Sequence, residues 1–66
     1  MKVFVNGQAS VQPENLTLSE LLVALQLPEK AVLVERNRYP VAREDFKTTR
    51  LTEGDSVELV QMVAGG

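Results

Sequence analysis

The chain has 66 residues, 44% of them hydrophobic, with seven Lys plus Arg against nine Asp plus Glu. That length holds one domain with one small core, and a formal net charge of −2 argues against a nucleic-acid-binding surface. Cys and His are both missing, which excludes disulfides, thiolate or imidazole metal ligands and the usual nucleophile–base pairs.

Residues 1–6 alternate, with Met1, Val3 and Val5 against Lys2, Phe4 and Asn6, the period of a half-buried strand. Asn6-Gly7 is a tight-turn signal, since both residues tolerate positive φ. Ala9 to Gln12 then reads as the partner strand of a hairpin, with Val11 pointing inward. Pro13-Glu14-Asn15 breaks the strand. Thr17 and Glu20 have the spacing of a capping box, and Leu16 and Leu21 that of a hydrophobic staple. Leu18, Leu21, Leu22 and Leu25 recur at i, i+3, i+4 and i+7, so the spacing predicts an amphipathic helix that stops near Gln26 or Leu27, ahead of Pro28.

Ala31 to Arg36 predicts a third strand, with Val32 and Val34 on one face and Leu33 and Glu35 on the other. Asn37-Arg38 is a turn into Tyr39 to Ala42, although Arg stands where such a turn favours Gly. Pro40 makes this piece an edge strand or an irregular one. Arg43 to Phe46 suits a single helical turn, with Phe46 pinning a long crossover to the core. Glu53-Gly54-Asp55 is a turn, and Val57 to Val63 is the final strand. One amphipathic helix must therefore cover one face of one sheet, an α+β arrangement in a single domain spanning residues 1–66. The expected core joins Val3, Val5 and Val11 to the Leu stripe through Leu25, and to Val32, Val34, Val57 and Leu59.

No apolar run approaches the roughly 20 residues that span a bilayer. No signal-peptide layout precedes the first strand, so a cytoplasmic location and no membrane contact are expected. Five of the seven basic residues fall between Arg36 and Arg50, with Glu35, Glu44 and Asp45 among or beside them, which reads as a mixed-charge solvated face. Catalytic chemistry is scarce. No Gly-rich nucleotide loop with a Lys-Ser/Thr ending occurs, and the pairs Glu44–Asp45 and Glu53–Asp55 read as turn and surface charges. No enzyme activity and no bound cofactor are expected.

The C-terminus is the informative feature. A strand ending in Gly65-Gly66 presents the terminal carboxyl on a thin thread, and Ala64 to Gly66 reach roughly 10 Å when extended. Two residues without side chains suit a narrow channel. A carboxylate becomes an electrophile once joined to AMP, after which a sulfur or nitrogen nucleophile takes the acyl group. The alternative is a frayed end with no role.

The element order, together with Leu51, Gly54-Asp55, Val57, Leu59 and Val63-Ala64-Gly65-Gly66, resembles the β-grasp sulfur-carrier family. Asn6-Gly7, Val34-Glu35, Asn37 and Val41 to Arg43 extend the resemblance along the whole chain. Within the family, the short length and compact middle are similar to the carriers of thiamine thiazole synthesis (ThiS). The resemblance implies a ubiquitin-like β-grasp fold with a mixed sheet packed on one main helix. It implies ATP-dependent adenylation of Gly66 by a ThiF-type enzyme, and sulfur drawn from cysteine to give a thiocarboxylate. A thiazole synthase of ThiG type then receives the sulfur. ATP is used by the activating partner rather than bound by the carrier, which is expected to be a monomer when free. Arg38 and Ala42 depart from the family's common Gly and Pro. The ending also suits a molybdopterin-type sulfur carrier, and two further readings stay open, a ubiquitin-like protein modifier and a non-covalent docking module.

With Val57 and Leu59 facing the helix, Val60 and Met62 fall on the opposite face of the final strand. Together with Phe4, expected beside them, they form a candidate partner-docking patch next to the tail of Ala64, Gly65 and the sulfur-accepting Gly66.

Overall fold

The computed structural model describes residues 1–62. Five strands form one mixed sheet: β1 (Lys2–Val5), β2 (Gln8–Val11), β3 (Val32–Arg36), β4 (Tyr39–Val41) and β5 (Ser56–Gln61). Their order across the sheet is β2-β1-β5-β3-β4, with β1 and β5 parallel at the centre and the other neighbours antiparallel. Helix α1 (Leu18–Ala24) lies against one face.

The helix starts where the capping box places it. Thr17 Oγ1 accepts from the Glu20 N–H at 3.1 Å, and Glu20 Oε1 accepts from the Thr17 N–H at 2.9 Å. The crossover satisfies the other free amides of the first turn, as Leu18 and Ser19 donate to the carbonyls of Thr49 and Phe46. At the far end, Gln26 takes a left-handed φ of 59°. Its N–H reaches the Val23 carbonyl while Leu27 N–H reaches that of Leu22, the double bond of a Schellman cap.

Leu18, Leu21 and Leu22 are fully buried against Val3, Val32, Val34, Val57 and Leu59. Phe46 and Leu51 close the core from the crossover; Phe46 follows a short 3-10 turn over Arg43–Asp45, as its spacing predicts. The Leu51 N–H donates to the Leu16 carbonyl, which fixes that segment beside the helix entry.

Two core expectations are corrected. Val11 is 83% exposed rather than inward. The two-residue turn at Asn6-Gly7 pairs Val3 with Ser10 and Lys2 with Val11, and directly opposite residues share a face. Once Val3 faces the helix, Val11 must face away. The inward positions of β2 are therefore the polar Gln8 and Ser10, which leave a hollow against the end of the helix lined by Leu25 and Leu27. For that reason Leu25 lies partly open, and Leu27, past the cap, packs on the core instead.

The turn expected to be weakened by Arg38 does form. Asn37 and Arg38 both adopt positive φ, 51° and 74°, and β4 pairs with β3 as the edge strand that Pro40 requires. Asp55 is likewise corrected from a surface charge to a buried group, accepting from Arg36, Asn37 and Thr52.

Candidate carrier and docking site

Residues on β5 alternate across the sheet, so Val57 and Leu59 enter the core while Glu58, Val60 and Met62 face away from the helix. β3 lies alongside in antiparallel register and places Leu33 directly opposite Val60, and Glu35 opposite Glu58. Val60 and Leu33 are each 58% exposed, and Met62 is 45% exposed. These three side chains make a small apolar patch at the end of β5 nearest the C-terminus. The paired carboxylates of Glu35 and Glu58 border it.

Phe4 shares the outer face but does not sit beside Val60. The parallel register sets Phe4 against Ser56, four residues along β5 from Val60, or roughly 13 Å at strand rise. Phe4 is also half-buried, with the Lys2 ammonium 5.7 Å from its ring centre. Leu33 takes the neighbouring place expected for Phe4. Its outward face follows from β3 alternation, but its contact with β5 depends on the strand order.

The end of the described chain is held on one side by the residue that leads into β3, as the Met62 N–H donates to the Ala31 carbonyl at 2.8 Å. The expected tail residues Ala64 and Gly65, and the expected attachment site Gly66, lie outside the described residues. Among the described residues, no group of three or more acidic side chains converges where a metal could sit. No helix there is long and apolar enough to cross a membrane.

The family model for ThiS matches residues 2–66. The chain belongs to the ThiS family. It is 38% identical over 50 residues to the sulfur carrier protein ThiS of Bacillus subtilis, covering 76% of each chain. The crystal structure of ThiS from Geobacter metallireducens matches this ThiS-family fold with a TM-score of 0.85 at 38% identity, covering both chains in full. The fold is thus the β-grasp of that family. A thiazole synthase of Magnetococcus marinus is 35% identical over all 66 residues, which make up 20% of that protein. The ThiS-family chain therefore spans about a fifth of the thiazole synthase it matches.

Proposed function

We propose that this chain is the sulfur carrier of thiazole formation in thiamine biosynthesis and performs no catalysis itself. The observation that carries the reading is the match to the ThiS family through Gly66, the residue whose carboxyl the chemistry needs. A ThiF-type enzyme joins a Gly66 carboxylate oxygen to the α-phosphate of ATP and releases pyrophosphate. A donor persulfide, its outer sulfur derived from cysteine, then attacks the acyl carbon and displaces AMP, and a thiol cleaves the resulting acyl disulfide, forming a disulfide with the donor sulfur and leaving the thiocarboxylate. The carrier supplies no acid, base or metal to either step. Its contribution is to deliver one carboxyl on side-chain-free residues and to be held while the partner acts.

Leu33, Val60 and Met62 are the docking patch in this reading, with Glu35 and Glu58 at its border. Like charges directly opposite each other across a strand pair oppose folding. Their presence beside exposed apolar side chains suits a partner surface that offers an apolar contact and a guanidinium or ammonium group. Phe4, on the same face but remote along the strand, belongs to the rim of that contact. The sulfur acceptor is a ThiG-type thiazole synthase. Supporting this, thiazole synthases of two organisms contain a segment similar to the whole of this chain.

ATP–pyrophosphate exchange by a ThiF-type enzyme tests the proposal. The chain should stimulate exchange, and deletion of Gly66 should abolish that stimulation while leaving the melting temperature unchanged. Exchange that persists without Gly66 would contradict the carrier reading.

A further inference from the structure

Two asparagine side chains grip β5, each standing in for backbone. At its start, Asn37 Oδ1 accepts from the Ser56 N–H at 2.9 Å, and the Asn37 N–H donates to the Ser56 carbonyl at 2.7 Å. Farther along, the Asn6 N–H donates to the Val57 carbonyl at 2.9 Å, and Asn6 Oδ1 accepts from the Leu59 N–H at 2.7 Å. Both asparagines open tight turns in the left-handed region, with φ of 51° and 49°, which Asn tolerates better than most residues.

The two grips differ in how much pairing lies beyond them. The pairing of β1 with β5 ends at Val5 opposite Val57, because β1 turns away at Asn6-Gly7. Leu59 is buried, and its N–H points to the side that β1 has left. The Asn6 side chain supplies the acceptor there and extends the ladder by one rung. Among the described residues it is the last hydrogen bond on that side of β5. Beyond it, Gln61 and Met62 are held from the β3 side alone.

We infer that Asn6 is a positioning residue for activation of Gly66: by holding the Leu59 N–H, it fixes the line along which β5 hands the chain on to its end. The inference rests on the carrier reading above. From Leu59 the described chain runs three residues further to Met62, roughly 10 Å at strand rise, so a tilt of about 5° at Leu59 moves that point by about 1 Å. Misplacement of a reacting group on the order of 1 Å can lower a rate about a hundredfold. Asn6 bonds to β5 from the β1 side, away from the Leu33–Val60 pair on the β3 side, so its loss should change turnover rather than docking.

The test compares Asn6→Gly with Asn6→Asp. Gly keeps the left-handed turn and removes the acceptor; Asp keeps both. Three quantities are read well below the lower melting midpoint: hydrogen exchange of the Leu59 amide, and kcat and KM for the carrier in ATP–pyrophosphate exchange. Asn6→Gly should speed Leu59 exchange and lower kcat by about tenfold or more, with KM changed by less than about twofold. Asn6→Asp should restore both toward the parent values. A deprotected Leu59 with unchanged kcat, a defect confined to KM, or a Leu59 amide as protected as in the parent would each overturn the inference. Failure of the parent chain to support exchange, with an enzyme active on another carrier, would instead overturn the carrier reading and this inference with it.

Discussion

Arg36 Nε donates to Asp55 Oδ2 at 2.9 Å, joining the end of β3 to the turn that launches β5. The same carboxylate accepts from the Thr52 N–H and hydroxyl at 2.9 and 3.1 Å, and from the Asn37 amide at 3.1 Å. Removing it strands several donors at a buried position. Asp55→Ala should cost about 2–4 kcal/mol, toward the lower end because Arg36 stays partly open to water. Urea denaturation at neutral pH measures this directly.

The same cluster gives the fold an acid-sensitive component. Burial by itself raises the Asp55 pKa, but hydrogen bonds from Thr52, Asn37 and Arg36, with the Arg36 charge, outweigh it and hold the carboxyl below its ordinary value of 3.8. A folded-state pKa lower than the unfolded one contributes stability that is complete above the unfolded value. That contribution is lost as pH falls from about 3.8 through the folded value. Asp55→Asn should therefore be less stable near neutrality and flatten this part of the acid limb. A stability–pH profile as steep as the parent's below pH 3.8 would show that Asp55 is not responsible.

Gln26 occupies the left-handed position of the helix C-cap, where glycine carries no Cβ penalty. Gln26→Gly should stabilise the fold by about 0.5–1 kcal/mol, raising the melting midpoint by about 2–8 °C. A lower midpoint would mean that the Gln side chain makes a compensating contribution.

Local signals were legible wherever chemistry acts within a few residues. The Thr17–Glu20 capping box, the Leu18–Leu21–Leu22 stripe, the Asn6-Gly7 turn and the edge position of Pro40 all follow from neighbours in sequence. The face of Val11 was legible too, because the tight turn fixes the register and the register fixes the face. With Val3 inward, that turn sends Val11 outward. Leu33 beside Val60, and Asp55 beneath Arg36, depend on strand order and on contacts between residues far apart, which no local pattern encodes. Leu51 entered the core for the same reason. Gly65-Gly66, read from the sequence as a chemical signature at the end of the final strand, lies outside the described residues.

The placements of Val11 and Leu51 are testable as a pair. Val11→Lys should change stability by less than about 0.5 kcal/mol, as for a solvated position. Leu51→Ala should cost about 2–5 kcal/mol, because it empties a fully packed site. The reverse ranking in thermal melts would restore Val11 to the core.

Glu58 separates the needs of folding from those of docking. Glu58→Gln removes one of two like charges facing each other across β3 and β5, and should stabilise the free chain by about 0.2–1 kcal/mol. It should also slow association with the activating enzyme, most clearly at low salt. Val60→Asp should weaken the same association while leaving the fold intact, since that side chain lies outside the core. Unchanged binding in both variants would move the docking surface elsewhere on the molecule.

The carrier function is tested most directly by intact mass spectrometry after incubation with a ThiF-type adenylating enzyme, ATP and a sulfide source. The mass should rise by one oxygen-for-sulfur exchange, placed on Gly66 by fragmentation and absent when Gly66 is deleted or its carboxyl is blocked by an extension. An unchanged mass, with an enzyme that converts another carrier under the same conditions, would contradict it.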